Sequence, residues 1–386
     1  MSLIAPRAAT TMPTVSHPDG VHFVTTEEEL RAVERLRYEG YIARMGRTRS
    51  TADHKRGLLP LPADEQSRIV YAAQDGEVIG SLRIRHGRLG PYTADEHHAF
   101  APDMFEPLVS VRDTVIQDTF VIRDDHLGGP LRMQLFFASA QYVLSEGVEL
   151  VFCDCLPHLL RTYQRIGFRT YKANFDSLDG LLVPLVAVVA DLDYLEAIEA
   201  PLRVAFDTPG VAVDRRRGRD IAGRLSMHPH VVSRAQTDRD EYFAQVFGDA
   251  DGEAHPFGLF DGLSPDEIDV VMAKSNIIEA REGECLVRKG LGTCNLFLVL
   301  DGTARVQLPG GEFRDLVRGD VYGELAFFLG TRTADVVVAS RSARVLCLSD
   351  SVVRRLLDGE PRLGARLAMN LGCVVAARLA DDIVKR

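Results

Sequence analysis

The sequence has no surplus of basic residues: 45 Lys and Arg stand against 55 Asp and Glu, a formal net charge of -10. Non-specific phosphate binding draws on excess cations, so the balance argues against a general nucleic-acid binder. The one dense basic run, Arg215, Arg216, Arg217 and Arg219, lies in a polar stretch and reads as a solvated linker. Long apolar runs are missing too. The longest, Leu181 to Ala190, is about half a bilayer span and contains Pro184, and the N-terminus has no signal-peptide core. Cysteines are few and scattered: Cys153, Cys155, Cys285, Cys294, Cys347 and Cys373. Only Cys153 and Cys155 lie close, in a strand-like run that puts both on one face. A metal site favours a second pair elsewhere, so we expect no metal and read reduced, buried thiols in a cytoplasmic protein. No internal repeat stands out.

What is present is enough apolar material for two cores in 386 residues, and two to three domains are expected. Residues 1–20, with Pro6, Pro13, Pro18 and Gly20, read as a flexible tail. From Val21 to about residue 200 the pattern is mixed α/β. Glu27 to Met45 carries apolar residues at helical spacing behind Thr25 or Thr26 as a cap. Two alternating runs flank Asp75-Gly76, a hairpin signal. A strand from Thr114 to Ile122 is followed by the loop 123–130 and an amphipathic helix from Leu131 to Glu146. Then come a buried strand, Val148 to Cys153, a short helix, Pro157 to Ile166, and a closing strand region, Thr170 to Val189. Residues 201–255 read as a linker in which Asp238 to Phe247 could form a helix. From residue 256 short strands alternate with turns such as Asp301-Gly302 and Gly319-Asp320, the pattern of an antiparallel roll, and helices from Ser351 to Val384 close the chain. The fold class expected is α+β: a mixed sheet domain, a linker, and a β-roll.

The most informative segment runs from Gly323 to Ala334. A strand ends in Gly323-Glu324, a helical turn follows, and Arg332-Thr333 precede the next strand. Backbone N–H groups at such a turn stabilise an anionic phosphate, and Arg332 adds a charge-assisted bond. Glu324 is an odd neighbour for bare phosphate but a good acceptor for a sugar hydroxyl. The pattern suits a sugar phosphate. The alternative is that Glu324 and Arg332 pair with each other.

This cassette, the glycines Gly283 and Gly290, the Asp301-Gly302 hairpin and the C-terminal helices resemble the cyclic-nucleotide-binding family over about residues 256–386. The resemblance implies that Glu324 takes the ribose 2′-hydroxyl and Arg332 the cyclic phosphate. Gly323, Leu325, Ala326 and Thr333 would supply further contacts, and the last helices would act as a lid. Tyr322 departs from the usual aliphatic residue or Phe, and the turn before Arg332 is shorter by about one residue. cAMP and cGMP are both candidate effectors. No helix-turn-helix follows the lid, so the transcription-factor version of the family is not expected.

In the first domain, Tyr163-Gln164-Arg165-Ile166-Gly167-Phe168 resembles the Tyr-x-x-x-Gly-Phe signature of GNAT-superfamily N-acyltransferases. That resemblance implies a cleft between two splayed strands, with Tyr163 as general acid for the departing thiolate; the bland reading is a buried core tyrosine. In the family a loop before the long helix cradles pyrophosphate. Here Arg123, Gly128, Gly129 and Arg132 would serve, but Asp124, Asp125 and Pro130 oppose that role. With Leu36 to Tyr41 and Gly80 to Ile84, this departure looks like the branch of acyl-homoserine-lactone synthases and long-chain N-acyl amino acid synthases. That branch implies acyl carrier protein as donor, with Arg123, Arg132 and Arg169 as docking charges for an acidic partner; acyl-CoA is the alternative donor. Asp118 and Asp154, at strand ends, are candidate bases for the acceptor amine. The function expected is an N-acyltransferase set by a cyclic nucleotide. The rivals are a nucleotide-responsive protein-lysine acetyltransferase and a non-catalytic adaptor.

Overall fold

The computed structural model describes residues 18–208, 213–225, 231–233, 237–247, 258–291, 295–307 and 311–384. Cys294 lies outside them. Val21 to Tyr71 bring the first strands together: β1 (Gly20–Phe23) pairs antiparallel with β2 (Ser67–Gln74), and helix α1 (Glu27–Arg37) crosses between. Thr26 caps α1 through a reciprocal capping box with Glu29, and the helix continues as a π-helical turn over Tyr38–Arg44. Strand β3 (Glu77–His86) answers β2 across Asp75 and Gly76, both with positive φ as a primed turn demands. Helix α2 (Ala94–Phe100) precedes β4 (Thr114–Ile122), the loop Asp124–His126, α3 (Leu131–Ser145) and β5 (Leu150–Cys155). A turn at Pro157–Leu159, helix α4 (Leu160–Gln164), and strands β6 (Arg169–Thr170), β7 (Phe175–Ser177) and β8 (Gly180–Val188) complete the sheet. Its order is β1-β2-β3-β4-β5-β8-β6, with β7 on β8.

One detail positions everything that follows. β4 and β5 pair in parallel only over Thr114 to Ile116 and Leu150 to Phe152, then separate. Thr119 sits at φ 46° beside a register shift against β3, an uncommon conformation for a β-branched residue. The strands open a cleft beyond that point, and α4 lies at its far end.

Residues after β8 stay on the first domain. Helix α5 (Leu192–Ala197) and helix α6 (Arg215–Ala222) pack against it. The basic run lies on α6 and faces acids: Arg217 bonds Glu149, while Arg215 and Arg219 bond Asp193 and Arg215 also Glu196. Gly218 is needed there, since a Cβ would stand 2.1 Å from the Ala190 carbonyl oxygen.

The second domain begins with β9 (Val231–Ser233), α7 (Arg239–Phe247) and α8 (Pro265–Met272), the last behind a Ser264 capping box. The roll comprises β10 (Ser275–Arg281), β11 (Cys285–Val287), β12 (Leu296–Asp301), β13 (Ala304–Gln307), β14 (Phe313–Leu316) and β15 (Val321–Tyr322). Helix α9 (Glu324–Leu329), β16 (Val336–Val338) and β17 (Ser342–Leu348) follow. Two sheets, β15-β12-β17-β10-β9 and β11-β16-β13-β14, enclose the core. Helices α10 (Asp350–Gly359) and α11 (Pro361–Val384) close it, broken at Gly359-Glu360-Pro361. By length and composition, Pro361–Ala380 in α11 could cross a membrane, but Leu363, Leu367 and Leu371 pack in the core of the roll. The architecture is thus the α+β arrangement read from the sequence.

The domains meet closely. Leu181 of β8 is buried in the same cluster as Ile278, Leu286 and Val345 of the roll. Arg288 forks onto Asp176 at 2.8 and 2.9 Å, and Asn276 donates to the Pro157 carbonyl at 3.0 Å.

Candidate functional site

The cleft between β4 and β5 widens into a cavity of about 680 Å³. Asp118 enters it from β4, Asp154 from β5, His158 from the turn after β5 and Tyr163 from α4. Leu59, Leu82, Phe120, Phe136 and Leu182 give it apolar walls. Charge is unevenly held. Arg83 grips Asp118 with two 2.7 Å bonds, and also donates to the Pro62 carbonyl. Burial opposes ionisation of Asp118, but the Arg83 charge and bonds hold its carboxyl below the ordinary value. Asp154 has the reverse balance. Burial, and then the like charges of Asp118 and Asp179, push it up to about 7. That is the range where a carboxylate can take and return a proton at neutral pH.

Tyr163 stands edge-on to Phe136 and Phe168, at centroid distances of 6.0 and 5.8 Å, and burial raises its phenol well above the ordinary value. It is therefore protonated at neutral pH and able to donate. Cys153 and Cys155 are both buried free thiols on one face of β5, held protonated by burial.

Arg132 lines the cavity mouth. Gly128, at φ 82°, has open space beside it, and at Gly129 a Cβ would meet the His126 carbonyl oxygen at 3.6 Å. Arg123 instead lies between Glu77 and Asp125, with its guanidinium engaged by both carboxylates. Arg169 pairs with Asp191 at 2.8 Å and stacks on Tyr194, 4.2 Å above the ring. Neither guanidinium is brought to the cavity.

The cavity also holds groups the sequence did not single out. Asp179, at the β7–β8 hairpin tip, receives Arg47 at 3.0 Å and Arg49 at 2.6 Å. His158 accepts or shares a bond with Asn295 of the second domain at 2.7 Å, and burial with the nearby Arg332 charge pushes its imidazole down to about 4. The spacing of His158 four residues after Asp154 was the available signal, but it is hidden inside a short apolar helix pattern.

In the second domain the cassette is assembled as the sequence suggests, but its charges are engaged. Gly323 caps α9 at φ 86°, with Leu325 half exposed, Ala326 buried and Thr333 exposed. Glu324 is 5% exposed and pairs with Arg378 of α11, which also donates to the Val321 carbonyl. Arg332 is 4% exposed and donates to the backbone oxygens of Asn295, at 2.7 Å, and Gly323, at 3.3 Å. The expected alternative, a Glu324–Arg332 pair, is not what forms: each charge has taken another partner. Tyr322 is absorbed by stacking on Phe297 at 4.9 Å, and Arg332 lies over the same ring.

Residues 32–191 match the family described as N-acyl amino acid synthase FeeM, and residues 277–360 match the cyclic nucleotide-binding domain family. No curated protein matches the chain. Among solved structures, the Thermus thermophilus catabolite activator protein is 26% identical with a TM-score of 0.29. That match covers 33% of this chain and spans 61% of the length of that one. A cyclic nucleotide-binding domain from Methylobacillus flagellatus is 20% identical, covering 42% of this chain and 89% of that one, with a TM-score of 0.33. The CoA-dependent acyl-homoserine lactone synthase BjaI, solved with SAM and isopentyl-CoA, is 16% identical. It covers 54% of this chain and 99% of that one, with a TM-score of 0.39. The first domain thus carries a match to an acyltransferase family, N-acyl amino acid synthase FeeM, in one chain with a second domain that matches the cyclic nucleotide-binding domain family.

Proposed function

We propose that the chain is an N-acyltransferase of the GNAT type that moves an acyl group from a thioester to an amine under control of a cyclic nucleotide. The observation that carries this reading is the pairing of Asp154, poised near neutral pH, with a protonated Tyr163 across one cleft. Asp154 takes a proton from the acceptor ammonium. The amine nitrogen attacks the thioester carbonyl, the C–N bond forms, and the C–S bond breaks. Tyr163 gives its proton to the departing thiolate and recovers one afterwards. Asp118, locked by Arg83, is a positioning group.

The acyl chain has an apolar route. A second, smaller cavity of about 60 Å³ lies beyond Gln117 and Phe136, residues that also line the first, and is bounded by Val143, Ile166, Leu195 and Phe206. Gly128, Gly129 and Arg132 would receive the donor's phosphate end, and both acyl-CoA and acyl carrier protein are donors to test. Glu324 and Arg332 would receive cAMP or cGMP, with Gly323, Leu325, Ala326 and Thr333 contributing contacts.

The test is turnover by the full chain with acyl-CoA and acyl carrier protein thioesters of several lengths and a panel of amino acids, with each nucleotide present and absent. Free thiol and N-acyl product appearing together support the reading. Nucleotide binding without turnover for any donor overturns the enzyme and leaves an adaptor.

A further inference from the structure

One buried residue touches both sites. Asn295 enters β12 of the roll and is 4% exposed. Its side-chain nitrogen lies 2.7 Å from His158 Nδ1, and its backbone oxygen accepts from Arg332 Nη2 at 2.7 Å. His158 lines the transfer cavity, at the end of the strand that carries Asp154. Thus a single residue separates the cassette arginine from an imidazole in the acyl-transfer site.

An amide N–H can only donate, so the His158 nitrogen that meets it must be the acceptor. In a neutral imidazole the proton is then on Nε2, on the far side of the ring from Asn295. Burial and the Arg332 charge keep the ring neutral, with its value down at about 4. A neutral, fixed N–H donor suits the oxygen of a thioester carbonyl, where negative charge develops as the amine attacks.

We infer that Asn295 of the second domain completes the acyl-transfer site by holding His158 as the Nε2–H tautomer, a donor to the thioester carbonyl oxygen, and that a cyclic nucleotide phosphate engaging Arg332 loosens this hold. This rests on the acyl-transfer reading above. His158 would touch the reacting group; Asn295 is a positioning residue. The coupling is physical. The guanidinium now donates to the Asn295 and Gly323 carbonyls, and phosphate oxygens are stronger acceptors that draw it away. Asn295 then loses the bond that fixes its backbone. A differential effect of this kind is what regulation by a ligand demands, and by linkage His158 substitution alters nucleotide affinity in return.

The test uses the full chain labelled with ¹⁵N-histidine, the His158 signals assigned by their loss in His158→Gln. The wild type is expected to show an unprotonated Nδ1 and a protonated Nε2 at neutral pH. Asn295→Asp replaces a donor by an acceptor, so it should move the proton to Nδ1 and lower kcat about tenfold or more with little change in KM. Asn295→Ala, which removes the bond without adding charge, should lower kcat while leaving the tautomer mixed. Saturating cAMP or cGMP should shift the His158 signals in the wild type and not in Arg332→Ala. A wild-type ring protonated on Nδ1, or an Asn295→Asp variant with unchanged signals and kcat, overturns the positioning role. Absence of nucleotide binding, or binding that leaves His158 unmoved, overturns the coupling. Absence of turnover in the wild type overturns the acyl-transfer reading instead, because the tautomer and its response are read without catalysis.

Discussion

Asp118 and Asp154 stand on neighbouring strands and face one cavity, yet their surroundings drive them apart. A bidentate guanidinium keeps the first ionised; burial and two like charges hold the second near 7. On the proposed reading the base is Asp154, and kcat/KM should rise with pH through one ionisation near 7. Asp154→Asn should abolish that limb and cost roughly 10²–10⁴ in rate. The sign for stability is opposite to that for activity. The folded value lies above the unfolded one, so protonated Asp154 favours folding at low pH, and this contribution disappears as pH climbs through about 7. Asp154→Asn should remove that slope, seen as urea midpoints that vary less between pH 5 and 8. A wild-type rate profile flat across that range would exclude Asp154. At this scale the sequence was partly legible. Asp154 and Tyr163 announce themselves, one near the end of a strand and one in a motif, whereas Asp118, expected at a strand end, lies midway along β4. Asp179 with Arg47 and Arg49, and Glu324 with Arg378, do not announce themselves, because pairing between residues far apart in the chain leaves no local pattern.

The elements themselves were more legible, because capping residues, the Asp75-Gly76 turn and apolar periodicity are local. What periodicity cannot show is where two paired strands part. The cleft depends on β4 and β5 separating after Ile116, where Thr119 sits at φ 46° beside the register shift against β3. The cassette depends in the same way on one glycine. At Gly323, φ is 86°, and a Cβ would stand 2.4 Å from Arg332 Nη1 and 2.5 Å from the Asn295 oxygen. Gly323→Ala combines left-handed backbone strain with displacement of the arginine. It should lower the stability of the second domain by about 2 kcal/mol and weaken cyclic nucleotide binding at least tenfold. Denaturant unfolding and calorimetric titration check the two effects. Unchanged binding would mean that Arg332 does not act from where it sits.

For the molecule as a whole, the issue is whether two domains with separate family signatures behave as one body. The ion pair between them is modest: Arg288 and Asp176 are each one-third exposed, and such pairs contribute less than about 1 kcal/mol. The apolar contact is different. Leu181 belongs by chain to the first sheet, but its side chain is 2% exposed among Ile278, Leu286 and Val345 of the roll. Truncating such a side chain costs about 2–4 kcal/mol through lost burial and the cavity left behind, and here that cost falls on the interface. The wild type should therefore unfold in one calorimetric transition. Leu181→Ala should lower its midpoint, and Leu181→Asp, which places a charge in that cluster, should split it into two. Because Asn295 reaches His158 across this same interface, Leu181→Asp should also erase any effect of nucleotide on acyl transfer, while the roll still binds nucleotide with an affinity shifted as linkage requires. Two independent transitions in the wild type would mean that the domains are only tethered, and any nucleotide response would then need a route other than their shared core.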